Sequence, residues 1–142
     1  MDLSKFIRTV PDFPEPGIMF RDVTTLFAEP QAFKAMIEQF NQQFNGVDID
    51  YIGGIDARGF IIGAALALTR DIGFVPVRKK GKLPYDTISE DYALEYGTAT
   101  LELHTDAVSA GSKVLIVDDL IATGGTAIAA VNLFRKVNAN VI

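Results

Sequence analysis

The sequence predicts an α/β domain with a mainly parallel central sheet flanked by helices. Three observations predict it. Short apolar runs of strand length alternate along the chain with longer stretches of helical periodicity. Residues 113–117 carry a continuous apolar, largely β-branched run, Val114-Leu115-Ile116-Val117, of the kind buried on both faces of a parallel sheet. Two such runs lead through small-residue turns into helices, and ligands bind at those strand ends in open α/β sheets.

In chain order, the opening stretch carries Pro11, Pro14 and Pro16 and turns at Gly17. Each proline disfavours helix at and before itself, so residues 1–30 are expected to form an extended or turning arm. Residues 31–44 follow Pro30 and place Phe33, Met36, Ile37, Phe40 and Phe44 at helical spacing, with Gly46 as the stop. Residues 51–55 read as a short strand, 59–68 as an apolar helix and 74–77 as a further strand. Residues 78–91 are polar, contain Gly81 and Pro84, and read as a long loop. Residues 92–95 and 98–104 alternate apolar and polar side chains around Gly97, an antiparallel pair, so 78–104 forms a flexible loop and hairpin. Residues 126–137 are helical, with Ile128, Val131 and Phe134 on one side, and 138–142 begin another strand. No repeat or linker divides the chain, and 1–142 is expected to be one domain.

The composition excludes several kinds of function. With 142 residues, 49% hydrophobic and 22% charged, the chain suits a soluble globular domain with a sizeable core. No basic leader precedes an apolar segment, and the run 60–68 is too short to cross a bilayer, so a cytoplasmic protein is expected and no membrane partner. Zero cysteines exclude disulfides, thiolate zinc sites and thiol nucleophiles. The single histidine, His104, excludes a histidine-rich metal centre, and leaves hard ions held by carboxylates and ligand phosphates. A net charge of −5 argues against a nucleic-acid partner. Yet Arg78, Lys79, Lys80 and Lys82 crowd into five positions. A solvated turn is the ordinary reading of such a cluster, and a binding loop for a small polyanion is the functional one.

The chemistry concentrates in Val114-Leu115-Ile116-Val117-Asp118-Asp119-Leu120-Ile121-Ala122-Thr123-Gly124-Gly125-Thr126. This is a buried strand, two carboxylates, a turn of small residues and a helix start. Gly124 and Gly125 let the backbone approach a ligand closely, and the free amides of the helix start favour a phosphate. Thr123 and Thr126 add hydroxyl donors. Two carboxylates beside a phosphate site suit neutral sugar hydroxyls, or a Mg²⁺ that the phosphates also bind. Alone, Asp-Asp and Gly-Gly could simply start and cap a turn; the whole block implies a sugar phosphate. A second strand–turn–helix, Gly53-Gly54-Ile55-Asp56-Ala57-Arg58-Gly59-Phe60, presents Arg58, either an exposed helix-start residue or a bidentate anion clamp. No Gly-x-x-x-x-Gly-Lys occurs, so this is not a nucleoside-triphosphate P-loop.

The 114–126 block resembles the signature of type I phosphoribosyltransferases, which bind 5-phosphoribosyl-1-pyrophosphate (PRPP). Phe13-Pro14-Glu15-Pro16-Gly17-Ile18-Met19-Phe20-Arg21-Asp22-Val23-Thr24 and Tyr92-Ala93-Leu94-Glu95-Tyr96-Gly97 resemble segments of the adenine phosphoribosyltransferases in particular. The similarity runs over residues 12–142. It implies a type I phosphoribosyltransferase-like fold with a catalytic loop and an amino-terminal base-binding arm. It implies that Asp118 and Asp119 contact the ribose hydroxyls and that Ala122, Thr123, Gly124, Gly125 and Thr126 wrap the 5′-phosphate. Ala57 and Arg58 take the place of the pyrophosphate loop, while Lys79 and Lys82 sit on the lid and assist pyrophosphate departure. Glu95 lies near the purine as a proton-handling group. Phe20 stacks on adenine, and backbone groups of Met19 and Arg21 read its edge; taken alone, Phe20 could equally be a core residue.

The implied reaction joins adenine to PRPP, giving AMP and pyrophosphate through a dissociative transition state. Mg²⁺ is then the cofactor, held mainly by PRPP, with Asp118 and Asp119 as candidate protein ligands. The resemblance also implies a homodimer and a longer carboxyl end, since family members continue past the position of Ile142. Transfer to another purine, or regulation by PRPP binding without catalysis, are the alternatives. The 13–24 arm speaks against the first and the lysine-rich lid against the second.

Overall fold

Two short strands open the chain. In the computed structural model, which describes residues 2–94, 97–119 and 124–142, a 3-10 turn at Leu3–Phe6 precedes β1 (Arg8–Pro11) and β2 (Met19–Asp22). The strands pair antiparallel, with Arg8 opposite Asp22 and Pro11 opposite Met19. The predicted arm is thus a hairpin whose prolines fall at a strand end and in the connecting turn, where no ladder amide is required. Asp22 closes it. Its carboxylate accepts the Thr24 hydroxyl at 2.6 Å and the Thr24 N–H at 2.9 Å, and pairs with Arg8. These contacts, the Thr24 hydroxyl first, hold its pKa down to about 2. A single helical turn, α1 (Thr24–Phe27), and then α2 (Pro30–Gln43) follow, and α2 buries Ala32, Met36 and Ile37. Pro30 suits the first turn, where its missing N–H has no partner to lose.

The chain forms two compact units, Met1–Asn45 and Gly46–Ile142. The second begins with β3 (Tyr51–Ile55), α3 (Arg58–Arg70), β4 (Gly73–Lys79), β5 (Thr87–Ala93) and β6 (Thr98–His104). It continues with β7 (Lys113–Val117), α4 (Gly125–Lys136) and β8 (Asn140–Val141). These strands make one sheet in the order β5-β6-β4-β3-β7-β8. The β4-β3-β7-β8 half is parallel throughout, and β6 runs antiparallel to both β4 and β5. The sheet is therefore mainly parallel, as the alternation of elements predicts, with an antiparallel hairpin at one edge.

The core of this unit joins Ile55, Val77, Leu101, Leu103 and Val114 of the sheet to Leu133 and Phe134 of α4. Gly53 makes room for that helix, since a Cβ there would stand 2.8 Å from the Phe134 ring. Burial of this apolar area against α4 is the main force holding helix and sheet together. The structure differs from the sequence reading in the 78–91 segment. β4 runs on to Lys79 and β5 begins at Thr87, which leaves only residues 80–86 as loop. β5 reads as polar because it is an edge strand whose Ser89, Asp91 and Ala93 face solvent. Among the described residues, no helix is long and apolar enough to cross a membrane.

Candidate active site

The carboxyl ends of β3 and β7 lie side by side, because Gly53 pairs with Ile116 and Gly54 with Val117 in parallel register. The loops leaving them meet in a cleft of about 190 Å³. Ala57, Arg58, Lys79, Asp118, Asp119 and Thr126 line it, with Ile55, Tyr92 and Leu101 supplying apolar wall. One close approach makes this geometry possible. A Cβ on Gly59 would lie 2.8 Å from the Val117 carbonyl oxygen and 3.3 Å from Asp118 Oδ1. Glycine at that position lets the first turn of α3 rest directly on the end of β7.

Arg58 Nε lies 2.8 Å from Asp119 Oδ2. The Asp119 side chain is 7% exposed and that of Arg58 36%, so a cation open to the cleft sits on a carboxylate that is not. Asp118 is half-buried and its pKa is pushed up to about 7. Burial is the largest cause, followed by hydrogen bonding to the Asp119 carboxyl; the Asp119 N–H, which donates to Asp118 Oδ1 at 2.8 Å, and Arg58 act the other way. Within the pair, Asp119 is matched by a cation, whereas burial raises the pKa of Asp118.

Asp56 is a residue the sequence reading did not single out. Its carboxylate takes Arg78 Nε at 3.2 Å, while its N–H donates to the Val77 carbonyl at 2.9 Å. The Arg78 guanidinium also lies 5.6 Å from the centre of the Phe60 ring, a cation–π distance. Arg78, first of the basic cluster, is thus used to join the ends of β3 and β4. Lys79 faces the cleft. Lys82 is exposed on the 80–86 loop and does not line it. The signal for Asp56 was its place, directly after an apolar strand and before Ala57-Arg58.

On the far side, α4 starts at Gly125 after Gly124, which takes φ 85°. Thr126 lies in the first turn of that 12-residue helix, whose N-terminal dipole favours an anion. Ala122, Thr123 and Glu95 lie outside the described residues. Met19, Phe20 and Arg21 belong to β2 in the other unit. There Phe20 meets Phe13 edge to face at 5.2 Å, Met19 is exposed, and the Arg21 side chain donates to the Thr9 hydroxyl. Among the described residues, no group of three or more His, Cys, Asp or Glu side chains is placed to hold a metal. The donor set at the cleft is the Asp118–Asp119 pair, which suits an ion whose remaining oxygens come from a bound phosphate compound.

This sheet, with paired carboxylates at one strand end and a glycine-led helix start beyond them, defines a phosphoribosyl transferase domain. The family model of that description matches residues 22–142. Among curated relatives, the adenine phosphoribosyltransferase of Maricaulis maris is 55% identical over 142 residues, covering 100% of this chain and 81% of that one. That of Dinoroseobacter shibae is 56% identical over 140 residues, with 99% and 78% covered. Among solved structures, the adenine phosphoribosyltransferase from Thermoanaerobacter pseudethanolicus matches with a TM-score of 0.96 at 47% identity, over 99% of this chain and 81% of that one. The Saccharomyces cerevisiae protein, solved with an imino-altritol bisphosphate and adenine, matches with a TM-score of 0.95 at 43% identity, over 99% and 82%. The chain belongs to the adenine phosphoribosyltransferases.

Proposed function

We propose that this chain transfers the 5-phosphoribosyl group of PRPP to N9 of adenine, releasing AMP and pyrophosphate in purine salvage. The observation that carries the reading is the meeting of Asp118, Asp119, Arg58, Lys79 and the α4 start in one cleft. Each part of PRPP has a counterpart there. The first turn of α4, with Thr126 and the neighbouring Ala122, Thr123, Gly124 and Gly125, holds the 5′-phosphate through backbone amides. Asp118 and Asp119 accept the ribose hydroxyls and fix the sugar. Ala57 and Arg58 receive the pyrophosphate, with Lys79 and Lys82 contributing positive charge.

The C1–oxygen bond breaks with its electron pair on the departing pyrophosphate, and the adenine N9 lone pair forms the new C1–N bond. Cations aimed at the leaving group stabilise the charge that develops there, and positioning supplies most of the remainder. The N9 proton is lost, with Glu95 as the group to receive it. Phe20 stacks on the base, and the backbone of Met19 and Arg21 reads its edge. Mg²⁺, held by PRPP oxygens and by Asp118 and Asp119, would supply further neutralisation of the pyrophosphate.

A cysteine-free chain suits a reducing compartment, and we place the protein in the cytoplasm. A homodimer is supported by α3, whose outer face exposes Ile61 (42%) and Leu68 (83%) seven residues apart on one side. The test is AMP and pyrophosphate formation from adenine, PRPP and Mg²⁺, with hypoxanthine, guanine and xanthine as controls. Turnover with adenine alone is expected. Equal turnover of hypoxanthine would overturn the base assignment, and PRPP binding without turnover of any base would indicate a regulator.

A further inference from the structure

Glu102, on β6, belongs to none of the groups assigned above, yet its carboxylate holds both ends of the 80–86 loop. Oε1 accepts the Gly81 N–H at 2.7 Å, and Oε2 accepts the Thr87 hydroxyl at 3.1 Å. The turn between them is closed by backbone bonds, Lys80 N–H to the Thr100 carbonyl at 3.2 Å and Lys82 N–H to the Lys79 carbonyl at 3.3 Å. Gly81 takes φ +82° at its apex, a conformation only glycine adopts without strain. Lys80 and Lys82 are exposed on this turn, and Lys79, the exposed last residue of β4, lines the cleft.

The charge arrangement is as informative as the geometry. Glu102 stands opposite Arg78 in the β4–β6 register, but Arg78 is paired with Asp56. Both Glu102 oxygens meet uncharged donors instead. A carboxylate so placed fixes the turn without neutralising the lysines, whose charge stays available to an anion. We propose that Glu102 is the positioning residue of the lysine turn, fixing the 80–86 loop beside Lys79 so that the charge of the turn is directed to the pyrophosphate group of PRPP. The ligand in that statement rests on the function proposed above, whereas the tie itself does not.

Two readouts on the full chain separate the two. Native-state trypsin cleavage after Lys79, Lys80 and Lys82, followed by mass, reports opening of the turn with no ligand present. Steady-state kinetics report its use. In Glu102→Ala, cleavage within the turn is expected to accelerate about tenfold, the scale of losing a charge-assisted hydrogen bond. KM for PRPP should rise about fivefold or more with KM for adenine within about twofold, the split expected of a residue that positions one substrate's ligands. Glu102→Gln, which can still accept from Gly81 and donate to the Thr87 hydroxyl, should restore most of both. Thr87→Val cuts one tie and should fall between, and it stands in as the opening variant if Glu102→Ala unfolds.

Cleavage at the wild-type rate in both opening variants overturns the tie. Faster cleavage with unchanged KM for PRPP overturns the positioning role. A wild-type chain that makes no AMP from adenine refutes the function, and the cleavage rates still decide the tie.

Discussion

Asp118 and Asp119 are neighbours in sequence with opposite electrostatic lives. Asp119 is buried against Arg58, so Asp119→Asn removes the carboxylate charge that faces Arg58 across the cleft. We expect KM for PRPP to rise at least about tenfold, the usual scale for a charge-assisted contact, with the Kd of adenine within about twofold. Steady-state kinetics and adenine titration check it, and equal loss of both would move Asp119 away from the sugar. Asp118 governs a pH effect. Its pKa of about 7 in the folded chain lies above the ordinary 3.8, so between these values the folded state holds a proton that the unfolded state has released. Stability due to this group is present at the acid end of that window, is lost as pH rises to about 7, and is level beyond it. Asp118→Asn removes the step. Above pH 7 the variant should be more stable by about 1–2 kcal/mol, less than the full shift implies because the carboxyl is half-exposed. Urea unfolding at pH 5 and pH 8 measures this, and identical wild-type and variant slopes would contradict it.

At the scale of elements, the site depends on how closely α3 approaches β7. Gly59→Ala would put a Cβ 2.8 Å from a backbone oxygen, so the helix start must move. A loss of about 1–3 kcal/mol, with weaker PRPP binding, is expected for such overpacking. Thermal unfolding and PRPP titration test it, and a variant with unchanged Tm would show that the contact yields freely. The same scale explains what the sequence could and could not reveal. β3 and β7 were legible residue for residue, because buried parallel strands are written as local apolar runs. The carboxylates, Arg58 and the glycine-led helix start were legible because each belongs to one short strand–turn–helix block that is local in the chain. Asp56 and Glu102 were not, since their roles come from partners 22 and 21 residues away across the sheet. β5 was read as loop for the first five of its seven residues, because an edge strand need bury little. The β1–β2 hairpin was hidden by its prolines, which mark the turn but mask strands of four residues.

At the scale of the whole molecule, the charge is negative while the substrate is a polyanion. The chain resolves this by concentrating Arg78, Lys79, Lys80 and Lys82 near one sheet end and leaving the net charge at −5. The other large-scale feature is the apolar outer face of α3, where Ile61 and Leu68 stay in solvent within a single chain. Leu68→Lys is expected to halve the sedimenting mass while leaving the far-UV circular dichroism unchanged. Wild-type protein that sediments as a single chain would remove the homodimer and assign that face elsewhere.

The contact between Arg58 and Asp119 has a consequence for energetics as well as geometry. Before any ligand arrives, the cation proposed to receive pyrophosphate and the carboxylate proposed to receive ribose already satisfy each other. Substrate entry is then a swap of partners, in which one internal attraction is surrendered for two external ones. The Arg58–Asp119 contact thus acts as a weak internal competitor of the ligand. Part of the ligand's electrostatic attraction is offset at the outset, and the same contact, re-forming behind the departing product, favours release. A centre assembled from two strongly charged groups can in this way hold a polyanion firmly during reaction without retaining it afterwards.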